Sequence, residues 1–303
     1  MIRVVARQQL LAFRRQHLAR VTVVVLGGFA VLAGILGWAS HRTIIGVYDE
    51  SVKLVATRGQ TAPPNPFLLK PTLSMLSNEM IYITMIGALV AIVVGHLAVA
   101  DDETNGIGRL VFSRPIRRRD YTLGKLAAAG TLLGAGVAVS YLVSVAALTI
   151  VNRFPTGGDL ARLAGFYLFA WLYLMVFAAI GAVTVLLLRR RSLGLLAAIG
   201  VWLTLTFALP QFTSGLRPSQ SLNPIVDPVP TNQTLFQITS HARPYSIAEQ
   251  FKEAAGRVLA TAPPEPAADT WLRIAPIAAA FALLTALTWN LITRHDYSRS
   301  NPE

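Results

Sequence analysis

Between Asp101 and Lys125 the chain reads DDETNGIGRLVFSRPIRRRDYTLGK, with the apolar runs Met80–Ala100 before it and Leu126–Val151 after it. A helix needs about 20 predominantly apolar residues to cross the roughly 30 Å hydrocarbon core of a bilayer. Both runs are long enough, so the polar stretch is a loop joining two membrane spans. Working outward, four further segments qualify, at approximately Val21–Ser40, Leu163–Leu188, Ser192–Leu209 and Leu272–Thr293. The 303 residues are 53% hydrophobic and only 14% charged, with mean hydropathy +0.52, whereas a soluble domain carries about 25% charged residues. The expected fold is all-α: a polytopic membrane protein with six transmembrane helices. The first span is longer than the roughly 7–15-residue core of a secretory signal and reads as retained.

Charge orients the spans. More than half of the 27 Lys and Arg residues fall before the first span, between the second and third, between the fourth and fifth, and after the sixth. These segments are together shorter than the other loops, and basic loops stay on the cytoplasmic side. Both termini are therefore expected in the cytoplasm, with Arg189-Arg190-Arg191 the sharpest marker. The net charge of +12 is explained by this bias, without a nucleic-acid partner.

The first twenty residues carry Ile2, Val5, Ala6, Leu10 and Phe13 on one helical face, while Arg7, Arg14, Arg15 and Arg20 lie off it. That pattern predicts an amphipathic interfacial helix over residues 1–20, with arginines reaching anionic lipid headgroups. A body of six spans occupies 21–303. Its outer loops, 41–79 and 210–271, are proline-rich; the first has room for a short helix near Tyr48–Ala56. In the second, Ile247, Phe251, Ala254, Ala255 and Val258 recur at helical spacing. Ser246 and Glu249 form a capping-box pair ahead of them, and Pro263, Pro264 and Pro266 end the helix. Such a helix either packs on its own loop or lies at the outer membrane face as a gate. Tyr245, Phe251 and Val258 are the gate candidates.

Several chemistries are excluded. The chain has no cysteine, hence no disulfide, thiolate metal site or cysteine nucleophile. It has no G-x-x-x-x-G-K-[ST] loop, because Gly124-Lys125 lacks the earlier glycine and is followed by Leu126. Neither H-E-x-x-H nor G-x-S-x-G occurs, and no metal site or cofactor is expected in the chain. His96, a few residues before Asp101, has no second histidine nearby and reads as an interfacial or hydrogen-bonded histidine rather than a ligand or relay. Trp289 and Asn290 read as an interface anchor and a helix–helix hydrogen bond. Gly130 and Gly134, with neighbouring alanines, make one stretch of the third span smooth enough for close helix packing.

The 101–125 loop is longer than a chain reversal requires. Asp101-Asp102-Glu103 suit a helix N-terminus, and Ile107, Leu110, Val111 and Phe112 supply apolar side chains at about helical spacing. Gly106 and Gly108 weaken an isolated helix by up to about 1 kcal/mol each, so the segment depends on a partner or the bundle for order. Pro115 breaks it, and Arg117-Arg118-Arg119 hold the re-entry at the membrane surface.

On these residues the chain resembles the type-2 permease family of ATP-binding-cassette transporters. That family carries an acidic residue, a glycine four positions on, a hydrophobic stretch, Ser-x-Pro, a basic residue and Gly-Lys at the third span. Here they stand as Asp102, Gly106, Leu110–Phe112, Ser113-Arg114-Pro115, Arg117–Arg119 and Gly124-Lys125. The family usually has glutamate at the acidic position, so Asp102 and Glu103 both remain candidates. The resemblance implies that the loop is a cytoplasmic coupling helix docking into a separate ATPase subunit through Asp102, Glu103, Gly106, Leu110, Phe112, Arg114, Pro115 and Arg117. It further implies ATP and Mg in that partner, a homodimer of permeases among plasma-membrane lipids, and export. A non-transporting membrane anchor that recruits a cytoplasmic complex through the same loop is the alternative.

Overall fold

The computed structural model describes residues 1–57, 72–104, 116–151, 154–188, 190–214, 234–259 and 267–294, and among these there are helices and turns but no strand. Helix α1 (Ile2–Arg15) is followed by α2 (Leu18–Thr57). The turn between them passes through His17, whose φ of 60° is the left-handed conformation that ends a helix abruptly. At 40 residues α2 is about 60 Å long, about twice the hydrocarbon thickness. The helix expected near Tyr48–Ala56 therefore exists as an extension of the first span. Apolarity ends near Ser40, but nothing in 41–57 breaks a helix.

The second span is composite: a 3₁₀ turn (Thr72–Leu76), α3 (Ser77–Tyr82), a π turn (Ile83–Gly87) and α4 (Ala88–Thr104). The third is α5 (Arg118–Val151) and the fourth α6 (Gly157–Leu188). Thr156 caps α6 by accepting from the Asp159 amide at 3.2 Å, and its hydroxyl donates to Asp159 Oδ2 at 2.7 Å. The fifth span joins α7 (Arg191–Leu203), a second π turn (Thr204–Ala208) and α8 (Leu209–Ser214). Pro210 has no N–H for the Thr206 carbonyl, so the regular ladder cannot run through this turn. The two π turns are neighbours: Trp202 Nε1 donates to the Thr84 carbonyl at 3.3 Å. After α9 (Thr234–Thr239) and a 3₁₀ turn (Ser240–Tyr245) come α10 (Ile247–Val258) and α11 (Ala267–Arg294), the sixth span.

Among the described residues six helical segments are long and apolar enough to cross a membrane, as the sequence predicts. α6 is the centre, packing against α4, α5, α7, α10 and α11. Within its most apolar stretch 78% is buried, against 28% for α5 and 11% for α11, so α6 is enclosed by protein while the outer helices offer a lipid-facing side. The α4–α6 crossing is very close. A methyl group added at Gly95 would overlap the Ala178 carbonyl, and one at Gly181 would overlap the Ile92 carbonyl. Between helices in lipid the hydrophobic driving force is missing, and small residues that admit close backbone contact provide van der Waals packing in its place.

Candidate functional site

Two regions gather the polar groups, one at each end of the bundle. At the basic end, Asp101, Asp102 and Glu103 lie in the last turn of α4, which closes at Thr104. These acids were expected at a helix N-terminus. The correction is physical: the apolar run of α4 carries its helix on to Thr104, so Asp101 meets the negative end of the dipole. Two partners offset that placement. Gln16 Nε2 donates to Asp101 Oδ2 at 2.7 Å, and Arg191 Nη2 lies 3.3 Å from Oδ1.

The other side of the loop is anchored too. Arg118, the first residue of α5, donates Nη1 to the carbonyls of Ile292, at 2.9 Å, and Thr293, satisfying the C-terminal turn of α11. The Arg117 side chain is exposed, and its carbonyl receives the Asp120 and Tyr121 amides at 2.9 and 3.2 Å. Gly124 and Lys125 dock α1. A methyl at Gly124 would stand 2.6 Å from Val5 Cβ, and the buried Lys125 Nζ donates to Gln9 Oε1 at 2.6 Å while lying 5.3 Å from the Tyr121 ring centroid. The apolar face of α1, with Val5 and Phe13 buried, is therefore turned onto the bundle rather than onto lipid. Arg7, Arg14, Arg15 and Arg20 stay exposed, as do Met1, Val4 and Leu11. The coupling candidates Gly106, Leu110, Phe112, Arg114 and Pro115 lie outside the described residues; Asp102 and Glu103 are described as helical backbone only.

At the far end, α10 is set into the bundle. Phe251, Ala254, Ala255 and Leu259 are fully buried. The Phe251 ring stacks on Tyr173 of α6 at 4.4 Å and lies 6.4 Å from Phe166. The apolar face of this helix meets α6 and α11, and the helix also packs on the preceding turn of its own loop, where Gln250 Nε2 donates to the Arg243 carbonyl at 3.3 Å. Ser246 accepts from the Glu249 amide at 3.5 Å, the expected half of the capping box. The Glu249 side chain turns away, to Thr213 Oγ1 at 3.3 Å and Arg243 Nε at 3.9 Å, and is buried rather than on the polar face. Glu253 bridges Arg243, at 2.6 Å, and Arg273 at the start of the sixth span. Of the three gate candidates, Phe251 is central, Val258 half-buried and Tyr245 exposed on the preceding turn.

Sequence reading missed a buried polar cluster nearby. Glu79, placed at a loop end by its charge, is 1% exposed inside the second span, against Tyr167. The Tyr167 hydroxyl shares a 2.7 Å bond with Ser144 Oγ and donates to the Ser140 carbonyl at 3.2 Å. The signal was a carboxylate abutting one apolar run with tyrosine and serine inside two others, a pattern that ionisable residues within spans should prompt. Between α5, α6 and α11 a mostly apolar cleft of about 850 Å³ runs along Leu126, Gly130, Gly134, Tyr141, Trp171 and Phe281. Its smooth wall is where Trp171 packs, with Nε1 donating to the Gly130 carbonyl at 2.8 Å. Trp289 is half exposed, as an anchor should be, but Asn290 is exposed rather than buried between helices.

These features define a multi-pass helical membrane protein of the permease class, with a clamped loop at one end and an inserted helix at the other. The family described as ABC-2 family transporter protein matches residues 9–297, and the chain belongs to it. It is thus a membrane component of the ATP-binding-cassette transporter type, not a nucleotide-binding domain. No individual curated protein matches the chain.

Proposed function

We propose that this chain is the permease half of an ATP-driven exporter, paired with a second copy of itself and with two copies of a separate cytoplasmic ATPase that binds ATP and Mg. In this reading the basic end, with both termini, faces the cytoplasm of a cell bounded by this plasma membrane, and the distribution of Lys and Arg supports that orientation. The loop 101–125 enters the ATPase groove: Leu110 and Phe112 fill it, Arg114 and Arg117 pair with its acids, and Gly106 and Pro115 shape the turn. Asp102 or Glu103 completes the contact.

One observation carries this reading. The residues flanking the loop are fastened to three other elements, Asp101 to α1 and α7 and Arg118 to α11. A push on a loop so tied displaces several helices at once, which a loop serving only orientation has no need to do. Work is extracted only if the two states differ in contact free energy at that interface. At the far end α10 sits over α6 as the gate, its stack and its ion pairs the contacts that opening would break.

The test is to replace Leu110 and Phe112 with aspartate in the chain co-expressed with its ATPase. Loss of stimulated ATP turnover with normal membrane insertion is expected. Unchanged turnover and co-purification would remove the coupling assignment.

A further inference from the structure

A second, smaller cleft of about 450 Å³ opens between α4 and the beginning of α7, at the basic end. Its wall is formed by the apolar Val93, Leu97 and Leu195 and the polar His96, Arg191 and Ser192, and its surface is mostly hydrocarbon. Arg191 and Ser192 are the first two residues of α7, whose N-cap, Arg190, is extended and offers no capping side chain, and whose first turn has no acidic residue. The first intrahelical bond runs from the Gly194 amide to the Arg190 carbonyl at 2.8 Å. The amides ahead of it carry the positive end of the helix dipole, an arrangement suited to an anion.

His96 is the independent observation. It is 2% exposed, and its Nδ1 has no hydrogen-bond partner among the described residues. A buried polar nitrogen left unsatisfied is costly, so its place in this wall calls for a partner. Arg191 is half exposed, with Nη2 on Asp101. Among the described residues the Asp101 carboxylate, held also by Gln16, is the acid in contact with the cleft wall; against it stand Arg190, Arg191 and the helix end.

We propose that this cleft binds the anionic headgroup of a membrane amphiphile, a phosphate or carboxylate carrying a hydrocarbon tail. Headgroup oxygens accept from Arg191, from the first-turn amides of α7 and from His96 in its Nδ1–H tautomer. The tail lies along Val93, Leu97 and Leu195. A soluble anion would have no use for that apolar surface. The site stands apart from the transport reading, because occupancy needs neither nucleotide nor ATPase.

The full chain in detergent micelles doped with equal phosphatidylglycerol and phosphatidylcholine, examined by native mass spectrometry, should retain phosphatidylglycerol preferentially, one per chain. Removing one charge-assisted bond should cut retention about tenfold in Arg191→Gln and in His96→Leu, and Arg191→Lys should recover most of it. Ser192→Asp suits the helix terminus, so it keeps the fold while repelling the headgroup, and it should lose the lipid. Asp101→Asn releases Arg191 from its ion pair without replacing a residue of the cleft wall and should leave retention unchanged or raised. Equal retention of the two lipids, competition by inorganic phosphate alone, or an Asp101→Asn loss matching that of Arg191→Gln would each overturn the proposal.

Discussion

The Gln16 side-chain amide and the Asp101 carboxylate, 85 positions apart in sequence, meet at 2.7 Å. Gln16 follows the last residue of α1, and Asp101 sits in the last turn of α4. Their bond joins the N-terminal helix to the helix that enters the 101–125 loop, and Arg191 brings the fifth span to the same carboxylate. Such a junction matters less for stability than for transmission. Arg191 is 48% exposed, and exposed ion pairs contribute about 0–1 kcal/mol.

Asp101→Ala should accordingly shift thermal stability by no more than about 1–2 kcal/mol while lowering permease-stimulated ATP turnover severalfold. Melting temperature and turnover, measured on the same co-purified complex, separate the two. Turnover that falls only in proportion to folded protein would make the junction structural.

The docking of α1 on α5 gives a steric prediction. Gly124→Val places a side chain where Val5 Cβ would be only 2.6 Å away, and overpacking of this kind costs about 1–3 kcal/mol. Val5→Gly, which removes both the Cβ and the Cγ1 that stands 2.8 Å away, should offset part of that loss, so the double variant should be more stable than the sum of the single changes. Strict additivity in a thermal-melt cycle would show that α1 does not rest on Gly124.

The spans were legible because uninterrupted apolarity is a strong signal, but their ends were not. Hydropathy falls at Ser40 and rises at Leu126, whereas helix continues to Thr57 and begins at Arg118. Bilayer solubility and helix formation are separate properties, and polar helix outside the membrane leaves no mark in hydropathy. Gly124-Lys125 was visible as a motif, yet its contact with Val5 and Gln9 needed two segments whose adjacency only the fold supplies. Glu79 was hidden for a related reason: a carboxylate at the edge of an apolar run looks like a boundary until Tyr167 is seen beside it. The far-end helix was readable from its stripe and its cap, but not the burial of Glu249, which depends on Thr213 and Arg243 from other elements.

The tyrosine of that cluster can be tested directly. Tyr167→Phe removes the bonds to Ser144 and the Ser140 carbonyl, and hydrogen bonds between membrane helices are worth about 0.6 kcal/mol on average, up to roughly 1.7. A loss of about 1–2 kcal/mol in denaturant-induced unfolding is expected. No loss would mean that the cluster finds other partners in the variant.

The ion pairs holding α10 predict a salt-sensitive attachment of that helix to the bundle. Glu253 is 21% exposed and bridges Arg243 and Arg273, so Glu253→Gln should weaken the attachment by about 1 kcal/mol at low ionic strength and less at high salt. Hydrogen exchange across Ile247–Val258 reads this locally. Exchange that responds equally to salt in the parent and the variant would assign the attachment to packing alone.

Packing is the stronger fastening. Phe251 is fully buried and stacked on Tyr173 at 4.4 Å, and Phe→Ala in a core costs about 3–5 kcal/mol. Because α10 meets the bundle through a few side chains, that loss should be local, freeing the helix before the spans unfold. The chain has no cysteine, so a single cysteine at the fully buried Ala255 is a clean reporter. It should resist a membrane-impermeant maleimide in the parent background and react once Phe251→Ala is added, while Phe251→Leu, which keeps most of the volume, should remain largely protected. Labelling that is equally fast in the parent background would mean that α10 is already open, and equal protection in all three would mean that Phe251 does not hold it shut.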